Sequence, residues 1–293
     1  MNKVNNIQGL SYVNPEGIVP FENNPFEVRD DEEMKSLIDS ISEYGILTPL
    51  VVSRQGRRGD VIQLVSGHRR LHAAKQLGLQ VVPVSYVTMT PAEIAIAVVD
   101  SNLQREHILP SEKARAYQLK FEAMRHQGRG SGQLVPKSDD NRTMSAIGED
   151  TGESYKTVQR YIRLNNLLPE LLQMVDEEKI ALTPAVELSY LTEDEQRWLL
   201  ETIETEEATP SLSQAQEMKN LSQAGMLDMD QIFSIMVKPK ANQKEVIKIK
   251  VEAVDKYLKG CTTPKEREDF LLKACEYYSR FLQRQRTKDR DAR

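Results

Sequence analysis

Apolar residues follow two different periods along the chain, and the change of period divides the chain into parts. Up to about residue 109, short apolar runs of strand character alternate with stretches of helical period. The strand-like runs are 46–54, 60–67 and 81–87. From residue 110 onward the spacing is helical throughout. The pattern predicts a multidomain α+β chain with a small mixed-sheet N-terminal domain, an all-helical middle domain and a mainly helical C-terminal unit.

Residues that start and stop helices sharpen this picture. The segment 30–45, DDEEMKSLIDSISEYG, has acids at its start, apolar positions at helical spacing and a glycine at its end, which predicts an amphipathic helix. A second helix is predicted over 69–77, closed by Gly78, and a third begins at Pro91.

The spacing and composition also predict domain limits. Residues 127–141, QGRGSGQLVPKSDDN, are rich in Gly, Ser and Pro and have no period, which predicts a linker loop inside the helical domain. The predicted parts are a flexible N-terminal tail 1–16, the α/β domain 17–109, the helical domain 110–222 and a C-terminal unit 223–293 with a basic tail.

Charge is strongly segregated along the chain, although the formal net charge is only −5. Residues 166–236 hold 15 acidic and 3 basic side chains, whereas the predicted helix 154–165 holds three basic and no acidic ones. Because local charge decides where a polyanion binds, this helix is a candidate nucleic-acid contact. No apolar run reaches the length of a membrane span or a secretory signal. We therefore expect a cytoplasmic protein without membrane contact. The four histidines do not converge on a cysteine or acidic cluster, so we also expect no structural metal.

The segment 143–164, TMSAIGEDTGESYKTVQRYIRL, has the layout of a helix-turn-helix. Gly148 is a small residue in the first helix, Gly152 lies at the turn, and the second helix has a buried face that includes Val158. The exposed side chains of the second helix are of the types that contact phosphates and base edges. The candidate DNA-binding residues are Ser154, Tyr155, Lys156, Thr157, Gln159, Arg160 and Arg163. The alternative is an ordinary helical hairpin with a solvated basic face, and the absence of acids on this helix favours DNA.

The segment 65–78, VSGHRRLHAAKQLG, places two arginines at the start of a predicted helix, directly after a glycine. Free backbone N–H groups and the helix dipole favour an anion at this position, and arginine can bind phosphate with two parallel hydrogen bonds. The alternative is a surface helix whose arginines pair with acids elsewhere, and the residue types alone favour that alternative. A third motif, DSNLQREHILPSEKA at 100–114, gathers polar side chains at the junction of the two domains, where ligands commonly bind.

Together and in this order, the motifs resemble those of ParB-type chromosome- or plasmid-partition proteins, over residues 17–221. NPFEVR at 24–29 is similar to the family's Asn-Pro-x-Gln-Pro-Arg, and SGHRRLHAA to its Gly-Glu-Arg-Arg box. SNLQRE is similar to the Glu-Asn-x-Gln-Arg box, and YGILTPLVV and the helix-turn-helix complete the set. The resemblance implies a ParB/sulfiredoxin-like fold for the N-terminal domain.

The resemblance also implies a CTP-gated DNA clamp. Members of the family bind CTP in the N-terminal domain, recognise a short palindrome in double-stranded DNA, and close as homodimers that slide along the duplex. A magnesium ion would be expected at the phosphates, with Asn102 beside it. The nucleotide-binding residues that the resemblance implies are Gly67, His68, Arg69, Arg70, Asn102, Gln104, Arg105, Arg29 and Thr48.

Further partners and the location follow from the same resemblance. A ParA-type ATPase would bind a short N-terminal segment within 2–12, and the protein would associate with the nucleoid or with a plasmid. The predicted C-terminal helix has an apolar stripe that either pairs with a second copy or packs within the chain. The stripe consists of Phe270, Leu271, Ala274, Tyr277, Tyr278, Phe281 and Leu282.

The sequence departs from the family pattern at three positions. His68 replaces the Glu of the first box, Ser101 the Glu of the second, and Glu27 the Gln of the Asn-Pro motif. Because positions 27 and 101 resemble those that support hydrolysis, we expect slow CTP turnover, whereas the retained arginines leave binding intact.

Two other functions remain open from the sequence. GHRR is also similar to the Gly-Cys-His-Arg box of sulfiredoxin, and ParB-like kinases of free serine exist, so the fold is compatible with a small-molecule kinase. A helix-turn-helix transcription regulator without a nucleotide switch is the second alternative. Preference for ATP would indicate the kinase, and binding of no nucleotide would indicate the regulator.

Overall fold

The computed structural model describes residues 8–56, 59–105, 107–127, 137–238, 254, 257–258 and 263–291. The chain divides into two compact units, Met1–Lys238 and Pro239–Arg293. In the described part, no helix is long and apolar enough to cross a membrane.

The N-terminal part of the first unit is built on a five-stranded mixed sheet. Its strands are β1 Gln8–Val13, β2 Ile18–Val19, β3 Leu50–Gln55, β4 Val61–Ser66 and β5 Val82–Val87. Their order across the sheet is β1-β5-β3-β4-β2. The central strand β3 pairs antiparallel with β4 and parallel with β5. The apolar runs predicted as strands thus form the centre of the sheet, and the predicted mixed-sheet fold is confirmed.

The first strand corrects the sequence prediction of a flexible tail over residues 1–16. Residues 8–13 form β1, which pairs antiparallel with β5 along Val82–Tyr86. A short 3-10 turn, Pro15–Gly17, follows. The segment QGLSYV is too short and too polar to show a clear period of two, so only its pairing with β5 reveals it. The remainder of the predicted tail, residues 1–7, lies outside the described residues.

Three helices surround this sheet: α1 Glu32–Tyr44, α2 His68–Gln76 and α3 Pro91–Asn102. All three are predicted from the sequence, although α3 ends at Asn102, before the end of the predicted helical stretch. Asp31 caps α1 by accepting a hydrogen bond from the Met34 N–H at 2.8 Å, and Gly45 ends it with a φ of 70°. Thr90 and Glu93 form a reciprocal capping box at the start of α3.

The rest of the first unit is helical. Its helices are α4 Pro110–Gln127, α5 Lys137–Thr151, α6 Tyr155–Leu164, α7 Pro169–Asp176, α8 Leu182–Leu188, α9 Glu193–Glu206, α10 Leu212–Gln223 and α11 Met229–Val237. The predicted linker loop 127–141 is wrong at its end, because residues 137–141 already belong to α5; residues 128–136 lie outside the described part. In α11, Ile232, Ile235 and Met236 are buried in one apolar cluster with side chains of α7 to α10. This helix therefore packs within the first unit, although the predicted limit at 223 assigns it to the C-terminal unit.

The second unit contains one long described helix, α12 Pro264–Asp291. Phe270, Tyr277, Tyr278, Phe281 and Leu282, all members of the predicted apolar stripe, are exposed on it. Tyr278 and Phe281 stack on each other with ring centroids 6.4 Å apart. The alternative between pairing with a second copy and packing within the chain stays open.

Candidate functional site

The start of α2 is shaped to receive an anion. Gly67 occupies the N-cap position with a φ of 106°, a conformation that favours glycine, and no side chain caps the helix. The first backbone N–H groups of α2 are therefore left for a ligand. A Cβ at position 67 would lie 3.2 Å from Cγ of Leu50, so glycine also permits close packing against β3.

A cavity of about 190 Å³ opens at this helix start. It is lined by Ser66, Gly67, His68, Arg69, Arg70, Ser101, Asn102 and Arg105. Three of these residues are arginines from two different parts of the fold, and none of the described lining residues is acidic. The β4–α2 turn and the end of α3 thus bring two of the sequence motifs together around one positively charged cavity.

Two of the arginines are engaged by the protein itself. Arg70 donates from Nη1 to the backbone carbonyls of Thr48 and of Pro49, the latter at 3.0 Å. Burial lowers the pKa of the Arg70 guanidinium, which stays charged because arginine is not deprotonated in proteins. Arg69 forms ion pairs with Asp31 at 3.0 Å and with Glu33 at 3.3 Å. The alternative of arginines paired with acids elsewhere in the chain is therefore realised at Arg69.

Arg105 approaches the cavity from the end of α3, and its contacts differ from those of Arg69 and Arg70. Its guanidinium lies 5.5 Å from the ring centroid of Phe26 and forms no ion pair with any described carboxylate. Desolvation lowers its pKa, again without removing the charge. Arg105 is thus the cavity arginine whose donors are most available to a ligand.

His68 is the most deeply buried titratable group of the cavity, with 9% of its surface exposed. Its Nε2 is buried and has no hydrogen-bond partner. Desolvation, reinforced by the nearby charge of Arg105, lowers the pKa of His68 to about 4. The imidazole is therefore neutral at pH 7.

A second cavity of about 730 Å³ shares Arg69 and Arg105 with the first. Its other lining residues are Glu27, Arg29, Asp31, Glu33, Ser36, Leu37, His107 and Glu112. Arg29 lies 3.5 Å from Glu112, a buried carboxylate that also accepts a hydrogen bond from the Glu27 N–H at 3.2 Å. Arg29 is among the residues predicted from the sequence, whereas Asp31, Glu33 and Glu112 are not. Capping and the helix dipole already account for the two acids at the start of α1.

The remaining predicted nucleotide-binding residues differ in whether they line the small cavity. Asn102 lines the small cavity, and its amide nitrogen donates to the Val98 carbonyl at 2.8 Å, which leaves Oδ1 as an acceptor. Thr48 reaches the site only through its carbonyl on Arg70. Gln104 lines neither of the two arginine cavities but a separate cavity of about 420 Å³, with Asp100, Tyr117 and side chains of α5. The structure therefore does not bring Gln104 together with the other predicted residues.

Helices α5 and α6 form the predicted helix-turn-helix. The Glu153 N–H donates to the Gly148 carbonyl at 2.8 Å, so the turn folds back over α5. A Cβ on Gly148 would lie only 2.5 Å from the Glu153 carbonyl oxygen. Ser154 caps α6 by accepting from the Thr157 N–H at 3.2 Å. Val158 is fully buried, which turns the opposite face of α6 toward solvent.

That face carries most of the predicted DNA-binding residues, but Thr157 and Arg163 are only partly exposed. Tyr155, Lys156, Gln159 and Arg160 are exposed. Arg163 is half-buried: its guanidinium lies 3.8 Å from the ring centroid of Tyr190 and donates to the Ser189 carbonyl at 3.3 Å. The prediction that Thr157 and Arg163 are exposed is therefore wrong. The tight contact with the start of the α8–α9 connection could not be inferred from helical spacing.

A buried lysine joins the two parts of the first unit and was missed from sequence. Lys120 on α4 is 1% exposed, and its Nζ lies 2.7 Å from Asp100 of α3 and 2.9 Å from Asp150 of α5. Lysine is almost never buried without a partner, and here two carboxylates compensate the charge. The amphipathic pattern of α4 gives no sign of it, because a lysine at this spacing normally marks the solvent face.

Part of the chain is similar in sequence to proteins of a known family. Residues 1–103 match the model of the ParB N-terminal domain family. The chain thus carries a ParB N-terminal domain, and the resemblance predicted from its motifs is confirmed. The chromosome-partitioning protein Spo0J of Thermus thermophilus is 34% identical over 173 residues, covering 59% of this chain and 57% of that protein.

Two further relatives extend the comparison. The probable chromosome 1-partitioning protein ParB of Deinococcus radiodurans is 31% identical over 180 residues, covering 61% of this chain and 55% of that protein. A nucleoid occlusion protein of Bacillus mycoides is 29% identical over 174 residues, covering 59% and 53%. The chain thus spans little more than half the length of the curated relatives that it matches.

Solved structures of similar proteins include two of the C-terminally truncated ParB from Caulobacter crescentus. The one complexed to the centromeric parS site covers 78% of this chain and all of that one, with 18% identity and a TM-score of 0.42. The one complexed with CTP-gamma-S covers 65% of this chain and 96% of that one, with 22% identity and a TM-score of 0.31.

Proposed function

We propose that this chain is a ParB-type partition protein that binds CTP at the start of α2 and double-stranded DNA through α6, and acts as a nucleotide-gated dimeric clamp. The observation that carries the nucleotide part is the cavity at an uncapped helix start, which has three arginines and no acid among its described lining residues. Relatives at 34% and 31% identity that are named chromosome-partitioning proteins support the assignment to partition.

The dimensions of the two cavities fit a nucleotide bound across them. At about 190 Å³ the small cavity is below the size usual for a complete organic ligand, but it suits phosphate groups. The adjoining cavity of about 730 Å³ has room for the nucleoside, and Arg69 and Arg105 face both. Magnesium would supply charge neutralisation at the phosphates, and Asn102 Oδ1 is the kind of oxygen ligand that Mg²⁺ accepts.

Nucleotide binding is tested by titrating the purified protein with CTP, ATP, GTP and UTP in a calorimeter. We expect selective CTP binding that is at least tenfold weaker in Arg105→Gln, because a charge-assisted hydrogen bond to phosphate is lost. Arg105 is a cleaner choice than Arg70, which also holds the carbonyls of Thr48 and Pro49. The matched control is Arg54→Gln, since Arg54 is on β3 and stacks on Tyr86 at 4.8 Å.

The same titration separates the alternatives. A preference for ATP would favour the small-molecule kinase. Binding of no nucleotide would favour a helix-turn-helix regulator. The contacts of Arg69 and Arg70 within the protein would then explain why the cavity binds no phosphate. Phosphate release measured on the same samples is expected to be slow, because Ser101 and Glu27 stand where the family has Glu and Gln.

DNA binding through α6 is tested by the salt dependence of affinity for a duplex of random sequence. Lys156→Gln/Arg160→Gln is expected to weaken binding and to reduce the slope of log K against log salt by about 2, one for each phosphate contact. Arg197→Gln is a control for loss of positive charge, because Arg197 lies on α9 and pairs with Asp194 at 3.2 Å. An equal change of slope in the control would contradict the assignment of this face.

The remaining parts of the proposal rest on the resemblance. The dimer would form by pairing of two α12 helices, because the exposed aromatic residues of α12 supply an apolar face. A palindromic DNA site, a ParA-type ATPase as partner and association with the nucleoid or a plasmid belong to the same proposal.

A further inference from the structure

Arg69 stands at the boundary of the two cavities and is held there by acids. Its Nη2 lies 3.0 Å from Oδ1 of Asp31, and its Nη1 lies 3.3 Å from Oε2 of Glu33. Both terminal nitrogens, which are the donors that a phosphate would use, are therefore directed at carboxylates of α1. About a quarter of the Arg69 side chain is exposed, so the pairs are partly shielded from water.

One of these acids is fixed in position by the fold. The same Oδ1 of Asp31 that contacts Arg69 accepts the capping hydrogen bond from the Met34 N–H at 2.8 Å. Glu33 is largely exposed and completes the pair from the first turn of α1. Glu32, between them in sequence, points elsewhere and lies 3.8 Å from Lys35. The chain thus places two of the four consecutive acids at 30–33 on the arginine and directs Glu32 away from it.

We propose that Asp31 and Glu33 are internal competitors of the anionic ligand: they occupy Arg69 in the free protein and release it only when a phosphate group takes their place. This inference rests on the phosphate site of the proposed function. The competition is direct because Nη1 and Nη2, which each contact one carboxylate here, are the two donors that a guanidinium offers to a phosphate. A ligand with few negative charges gains little from the exchange, whereas a triphosphate gains most.

The test removes the two charges and leaves the helix cap in place. Asp31→Asn keeps a good N-cap residue, and Glu33→Gln keeps the side-chain length. Calorimetry in Mg²⁺-free buffer with EDTA measures affinity for CTP and for inorganic tripolyphosphate. The double variant is expected to bind both probes about three- to tenfold more tightly than the wild type, the effect of releasing two partly exposed ion pairs. Glu32→Gln, which removes the same kind of charge from the same helix turn, is expected to change affinity less than twofold.

A cycle with Arg69→Gln decides whether the effect passes through this arginine. In that background, removal of the two acids is expected to leave affinity unchanged. An equal gain with and without Arg69 would show a general loss of negative charge and would overturn the inference, as would unchanged or weaker binding by the double variant.

Failure of this inference is distinguishable from failure of the proposed function. If the wild type binds CTP, and Arg105→Gln weakens that binding, an absent gain in the double variant overturns only the competition. If neither the wild type nor the double variant binds either probe, the phosphate site itself is wrong and the competition falls with it.

Discussion

Gly148→Ala is expected to lower the free energy of unfolding of the first unit by about 1–3 kcal/mol, the usual cost of forcing an extra methyl group into a packed contact. The new Cβ would lie 2.5 Å from the Glu153 carbonyl oxygen, and that atom belongs to the backbone of the turn. The better helix propensity of alanine offsets only about 1 kcal/mol. Urea unfolding followed by circular dichroism measures the loss. Because the α5–α6 turn has to shift, DNA affinity should also fall at temperatures where the variant is folded.

Gly152→Ala is the control that measures the cost of a left-handed backbone without a steric contact. Gly152 has a φ of 73°, and a Cβ there would meet nothing within 4 Å. Its replacement is expected to cost about 1 kcal/mol through the left-handed backbone alone, without comparable loss of DNA binding. If Gly148→Ala were as stable as the wild type, the close approach of the turn to α5 would be wrong.

The stability of the protein is expected to fall between pH 6.5 and pH 4 because His68 is buried in the neutral form. In the unfolded chain this histidine takes up a proton near pH 6.5, whereas in the folded protein its pKa is about 4. The unfolded state therefore binds more protons than the folded state between pH 6.5 and pH 4, and the free energy of unfolding decreases as the pH falls. The contribution of His68 to the free energy of unfolding is about 3 kcal/mol; it is fully present above pH 6.5 and lost below pH 4.

His68→Gln is the variant that measures this contribution, since glutamine stays neutral at every pH. The free energy of unfolding of the wild type should fall by about 3 kcal/mol more than that of the variant between pH 7 and pH 4. An NMR titration of the imidazole provides a direct reading, with an expected midpoint near pH 4. A midpoint of 6 or higher would refute the burial of a neutral ring beside Arg105.

Elements whose limits are set by local chemistry were predictable from the sequence. Asp31 and Gly45 enclose α1, and Gly67 and Gly78 enclose α2, because capping and positive φ depend on neighbouring residues only. The same holds for the cap of α6 by Ser154. The clustering of SGHRR with Asn102 and Arg105 was implied by the resemblance and not by any spacing.

What escaped the sequence depends on contacts between distant residues. β1 exists because β5 offers it a partner some 70 positions later, Val13 lying opposite Val82. Arg163 has the spacing of an exposed residue, but Tyr190 lies within reach of its guanidinium. The two acids that contact Arg69 also have local roles in capping α1 and in its helix dipole. Because those roles account for acids at these positions, the sequence gives no sign of the tertiary contact with Arg69.

The burial of Lys120 between Asp100 and Asp150 has a mechanical consequence. Asp100 lies two residues before Asn102 of the small cavity, and Asp150 lies three residues before the turn residue Glu153. If α3 or α5 moved away from α4, an ammonium ion with little access to water would keep only one of its two counter-charges. The positions of α3, α4 and α5 are therefore coupled through Lys120. A displacement of α3 at the cavity either moves the α5–α6 turn as well or is opposed by the two ion pairs.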